Sequence, residues 1–104
     1  MLHGRRVVKD LTLSSPMPFV YILRCGDGSL YTGIAKDIAR RLAQHRAGRA
    51  SRYTRARLPV DLVWSLEVES WSAALREELR IKSLPRNRKE ALFDPHGESC
   101  PPEL

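Results

Sequence analysis

Five polar side chains, Tyr21, Tyr31, Arg41, His45 and Glu78, stand where the surrounding pattern asks for core residues or where two groups converge. On a wheel of about 100° per residue, Ile38 and Leu42 mark the buried stripe of one helix. His45 and Arg41 fall beside that stripe, whereas Arg40 points the opposite way. Arg41 and His45 are spaced i, i+4, so a guanidinium and an imidazole approach one point. They are either a snorkelling arginine over a hydrogen-bonded core histidine, or two members of a polar site. In a later helix, Glu78 sits in the stripe of Trp71, Ala74 and Leu75, with Ile81 on its margin. Glu77 falls near the edge, and Arg76 and Arg80 face outward. A carboxylate among apolar neighbours is costly unless something compensates it. Lys82, four residues on, would do so as an ordinary helix pair; a divalent cation would do so as a ligand of the carboxylate. Tyr21 and Tyr31 either fill core space or present two phenols to one site.

The chain carries a net charge of +6 over 104 residues, and the location of that charge is informative. From Lys36 to Arg57 there are eight basic residues against the single acid Asp37, so this stretch holds +7 and the remainder nets −1. Arginine-rich charge of this density suits a polyphosphate backbone. Within it Lys36, Arg49, Arg52 and Arg55 are candidate phosphate contacts. Tyr53, an aromatic among arginines, is a candidate for stacking on an exposed base. A solvated basic surface without a partner, or one that docks on an acidic protein, is the alternative.

These residues need particular elements to position them. Phe19–Arg24 and Leu30–Ile34 read as strands joined by the loop Gly26-Asp27-Gly28, with Gly28 suited to a left-handed bulge. A three-residue loop sets Cys25 against Ser29, Tyr21 against Gly33 and Leu23 against Tyr31, which puts both tyrosines on one sheet face. Asp37 caps a helix from Ile38 to about Ala47. Residues 50–59 form a basic loop, Asp61–Val68 a third strand, and Trp71 to Leu84 a second helix capped by Ser70 or Ser72 and stopped by Pro85. Arg88–Phe93 is a short final helix. The expectation is an α/β (α+β) fold, a three-stranded antiparallel sheet flanked by helices in the order β-β-α-β-α-α. Residues 1–16 are expected to be a flexible extension, 17–93 the working domain, and 94–104 a disordered Pro-rich tail.

From Phe19 to Leu84 the sequence resembles the GIY-YIG nuclease domain, above all its small single-domain bacterial members. The two signature tripeptides correspond to Phe19-Val20-Tyr21 and Tyr31-Thr32-Gly33. The spacing Tyr21-x9-Tyr31-x-Gly33-x7-Arg41-x3-His45 follows the family pattern, with Glu78 as the acid of the later helix. Phe19 replaces the first signature glycine, and Ile34 stands where some members carry lysine.

The resemblance implies hydrolysis of a phosphodiester bond by water with one divalent cation, Mg2+ or Mn2+, held by Glu78. Tyr31 would orient or deprotonate the water, a task for which a phenol needs positive charge nearby, from Arg41 or the metal. Arg41 would stabilise charge on the phosphoryl group. His45 would relay the proton and Tyr21 position the phosphate or water; whether Tyr31 or His45 takes the proton first stays open. The expected partner is nucleic acid, DNA rather than RNA, with selectivity for structure, as in single strands, flaps or branches. A non-catalytic nucleic-acid-binding module is the alternative. The longest apolar run, Phe19 to Leu23, is far short of the roughly 18–20 residues of a membrane span. Cys25 and Cys100 form no C-x-x-C pair, which argues against a zinc site or a secreted disulfide scaffold. A cytoplasmic protein is expected.

Overall fold

The hairpin loop sets the geometry of everything that follows. In the computed structural model, which describes residues 6–7 and 17–94, Gly28 takes φ +87° and its N–H donates to the Cys25 carbonyl at 2.9 Å. Cys25 N–H donates to Ser29 O at 2.8 Å, closing the three-residue loop. The flanking strands then pair with Tyr21 opposite Gly33 and Leu23 opposite Tyr31, as the loop length predicts.

In chain order the elements are β1 (Arg6–Val7), β2 (Phe19–Arg24), β3 (Leu30–Ala35), α1 (Ile38–Arg46), α2 (Arg52–Arg55), β4 (Asp61–Glu67), α3 (Trp71–Lys82) and α4 (Arg86–Phe93). Strands β3, β2 and β4 form the antiparallel three-stranded sheet with β2 at its centre, and β1 adds two residues along the outer edge of β4. β2 is covered on both faces, which explains its unbroken apolar run. Phe19, Tyr21 and Leu23 pack with Ile38 and Leu42 of α1 on one face. Val20 and Ile22 pack with Trp64, Leu66, Ala73, Ala74 and Ile81 on the other, under α3. The β2–β4 register shifts between Ile22 and Leu23, a bulge that bends β4 over the core.

Several expectations are corrected. β1 was not read from the sequence, two residues being too few for an alternation signal; its Arg6 and Val7 pair with Glu67 and Leu66. The rest of the expected extension, residues 1–5 and 8–16, and residues 95–104 of the expected tail lie outside the described residues. The basic loop contains one helical turn, α2, capped by the Ser51 hydroxyl, which accepts from the Tyr53 and Thr54 N–H groups. α4 starts at Arg86, directly after Pro85.

The largest correction concerns the face of α3. Its buried residues are Ala73, Ala74, Glu77 and Ile81, whereas Trp71 and Leu75 are 47% and 44% exposed. Small alanines let the helix approach the sheet closely, and that contact prevails over the bulk of the tryptophan and leucine. α1 follows its wheel: Ile38, Leu42 and His45 are buried, Arg41 is half-buried and Arg40 exposed. Asp37 caps it, accepting from Arg40 N–H at 3.0 Å.

Candidate active site

Gly33 opens the site. A Cβ at this position would lie 2.5 Å from Tyr21 Oη and 2.6 Å from its Cζ, so only glycine lets the Tyr21 ring lie across β3. The hydroxyl thereby reaches His45 Nε2 on α1 at 2.9 Å. On the other side of the ring, His45 Nδ1 lies 2.8 Å from Thr54 Oγ1 of α2. Thr54 Oγ1 in turn donates to Ser51 O at 3.4 Å. The arrangement that satisfies every group has Nδ1–H donating to Thr54, so that Nε2 accepts from the Tyr21 O–H.

This chain is closed to solvent, with Tyr21 3%, His45 1% and Thr54 0% exposed. Burial pushes the Tyr21 phenol far above its ordinary range; Tyr31 and Glu78 raise it further and Arg41 opposes them. Burial, and then Arg41, holds His45 below its ordinary 6.5. At neutral pH Tyr21 therefore keeps its proton and His45 is uncharged.

A more open rim surrounds the chain. The Tyr31 ring is half-buried, its centroid 5.1 Å from that of His45 and 6.5 Å from that of Tyr21. Among the described residues its hydroxyl has no protein hydrogen-bond partner. Arg41 is near enough to act on both Tyr21 and His45 and has no ion-pair partner among the described residues. Glu78, on α3, is also near enough to act on Tyr21. Its side chain is 18% exposed and lies 3.2 Å from Lys82 Nζ. Glu77, expected at the edge, is the more deeply buried of the two at 6%. Its carboxylate is engaged by the Arg80 guanidinium, so it belongs to the packing of α3.

The basic residues divide between the two ends of α1. Lys36 lies on the rim of an open groove with Arg40, Arg41 and Trp71. Arg49, Arg52 and Arg55 border a separate shallow hollow past the end of α1. Tyr53 is placed differently from a free stacking platform. Its ring packs against Tyr31, with centroids 6.0 Å apart, and carries the Arg57 guanidinium 3.9 Å above it. Thr54 went unnoticed in the sequence, although Ser51 one turn before it is an N-cap signal. Trp71 was missed as a surface residue because it was assigned to the core.

Among the described residues no three His, Cys, Asp or Glu side chains cluster as a metal cage. A single carboxylate suits a magnesium ion that keeps most of its waters and takes further oxygens from a substrate phosphate. Glu78 fits that description, with Lys82 as the counter-ion that such binding would replace.

A two-faced sheet carries paired tyrosines over a glycine, a guanidinium and imidazole on α1 and a carboxylate on α3, and the family match makes this a fold of the nuclease type. The model of the GIY-YIG catalytic domain matches residues 17–91, and the chain belongs to that family. A UPF0213 protein of Halobacterium salinarum is 49% identical over 77 residues, covering 74% of this chain and all of that one. A UPF0213 protein of Vibrio cholerae is 51% identical over 81 residues, 77% of this chain and 79% of its own. The solution structure of a UPF0213 protein from Bacillus halodurans has a TM-score of 0.50 at 42% identity, covering 77% of this chain and 85% of that one. A solution structure from E. faecalis has a TM-score of 0.55 at 30% identity, covering 80% and 90%. No helix among the described residues is long and apolar enough to cross a membrane.

Proposed function

We propose that this protein is a divalent-metal-dependent endonuclease that hydrolyses phosphodiester bonds in DNA, selecting structured or single-stranded substrates. The observation that carries the reading is the convergence of Tyr31, Arg41 and Glu78 around the buried, protonated Tyr21, beside an arginine-rich surface. A pure binding surface has no need of a carboxylate where a phosphate must approach.

In this reading a water adds to phosphorus, the bond from phosphorus to a sugar oxygen breaks, and the released oxygen takes up a proton. Tyr31, whose hydroxyl is uncommitted, orients the water and, after releasing its own proton to solvent, takes the water's proton as a phenolate. Arg41 stabilises the charge that develops on the phosphoryl oxygens. Tyr21, its O–H given to His45, positions the water by accepting a hydrogen bond from it. His45, buried with both nitrogens engaged, acts through Tyr21 and fixes its direction. Mg2+ or Mn2+ held by Glu78 would supply Lewis-acid stabilisation of the phosphate and of the leaving oxygen. Lys36, Arg49, Arg52 and Arg55 contact the backbone. A cytoplasmic role in DNA repair or recombination accords with such a substrate.

The 3.2 Å pair of Glu78 with Lys82 favours the second reading, a nucleic-acid-binding module without catalysis, since it already neutralises the carboxylate. Labelled single strands, flaps and duplexes incubated with Mg2+ or Mn2+ separate the two. Tyr31→Phe and Glu78→Ala are expected to slow cutting by at least about 100-fold while binding persists. Unchanged cutting in both variants defeats the site assignment, and binding by the unaltered protein without cutting under either metal favours the module.

A further inference from the structure

The open groove at the start of α1 shares Arg41 with the proposed reaction and adds an aromatic face that the reaction does not use. Its volume is about 490 Å3, and its lining includes Ile34, Lys36, Arg40, Arg41, Gln44 and Trp71. This size lies within the roughly 300–1,000 Å3 of small-ligand sites. Trp71 opens α3 and is 47% exposed, because the helix packs through its alanine face instead. Lys36 and Arg40 are exposed as well, and among the described residues neither side chain has an acidic partner. The one acid in the lining, Asp37, is oriented by its cap on α1.

A broad aromatic face flanked by unpaired cations matches a ligand that is flat and apolar in one part and anionic in the next. A nucleotide has that character, provided its base is not stacked on neighbours. Trp71, Leu75 and Glu78 follow one another at i, i+4 and i+7 on one side of α3. Trp71 thus lies roughly 10 Å along the helix axis from Glu78, within reach of a nucleotide near the cleaved bond but not at it.

We propose that this groove holds an unstacked nucleobase of a single-stranded or splayed nucleic acid, with Trp71 on the ring and Lys36 and Arg40 on the flanking phosphates. The inference rests on nucleic acid binding at this surface, and it stands apart from cleavage. It gives the structural selectivity of the site a physical origin, because bases inside a duplex cannot offer a face to Trp71.

Tryptophan emission tests it without metal, in EDTA. Trp64 is 7% exposed and Trp71 is not, so the accessible signal belongs to Trp71. Titration of the whole chain with oligo-dT and oligo-rU should quench emission saturably, and a duplex of equal length should not. Quenching by both, or by one sugar type alone, supports the slot and tells DNA from RNA. Trp71→Phe should keep single-strand binding within a few-fold and abolish the quench. Trp71→Ala should weaken single-strand binding on the order of tenfold and leave duplex binding within two-fold. An unshifted Trp64 emission maximum verifies that each variant is folded.

Absence of quenching, equal quenching by the duplex, or equal weakening of single-strand and duplex binding in Trp71→Ala overturns the proposal. Binding with quenching but no cutting under Mg2+ or Mn2+ removes the nuclease reading and leaves the slot. Cutting with unchanged single-strand affinity in Trp71→Ala does the reverse.

Discussion

The chain of Tyr21, His45 and Thr54 and the rim of Tyr31, Arg41 and Glu78 belong to one site, yet they obey opposite constraints. The chain is sealed in the protein and every polar atom in it has a partner, so it is part of the core as much as of the chemistry. The rim is partly open, and Tyr31 and Arg41 in it are uncommitted. In the proposed reaction, the groups that meet water and phosphate are left available, while the groups that aim them are locked by burial and hydrogen bonds. A substitution in the chain should therefore cost stability and activity together, and one in the rim should cost activity alone.

The largest effect that would break this contrast is expected in the chain. His45→Ala removes a fully buried ring, leaves the Tyr21 hydroxyl unpaired and leaves Thr54 with only its bond to Ser51 O, for a loss of about 2–4 kcal/mol in denaturant unfolding. Gly33→Ala should act in the same direction by driving Tyr21 off His45. If either variant unfolds like the unaltered protein, the chain is not structural.

Acid should produce a smaller, graded effect. His45 is held neutral below its ordinary 6.5 in the folded chain, so the unfolded chain takes up its proton first as the pH falls. Its contribution is complete above about pH 6.5 and is lost progressively as the pH drops from there through the lower folded value, at no more than about 1.4 kcal/mol per pH unit. Melting curves between pH 8 and pH 5 should follow this trend, with an imidazole titration by NMR below 6.5. Asp27, lowered from 3.8 by its hydrogen bonds to Ser29, cannot produce a loss in that range. A Tm constant down to pH 5 would remove the sealed imidazole.

The smallest effect compares the two adjacent acids of α3. Glu77→Ala should cost on the order of 1 kcal/mol, since Glu77 is buried but its partner Arg80 is half exposed, and should leave cutting within a few-fold. Equal losses of cutting in Glu77→Ala and Glu78→Ala would erase the distinction between them.

The sequence is legible where the signal is local. Loop length alone placed Tyr21 opposite Gly33 and both tyrosines on one face, and the Ile38–Leu42 stripe brought His45 inside beside Arg41. It misleads where packing depends on what is missing from a side chain. Two alanines brought α3 against the sheet, which turned Trp71 outward and buried Glu77 instead of placing Glu78 mid-stripe. It is silent where an element is too short for a period, as in β1 and in the single turn of α2 that delivers Thr54 to the histidine.

β3 is an edge strand, and the Tyr21 ring reaches from β2 across it, so the site opens along that edge rather than over the doubly covered centre of β2. Inheritance of the fold and divergence of the substrate are thereby assigned to different residues. Changes at Lys36, along the outer side of α1 or on the exposed face of α3 can redirect what is bound without passing through the strand that both cores share. A lineage built on this domain can retain one central arrangement of side chains and exchange its clientele at the margin.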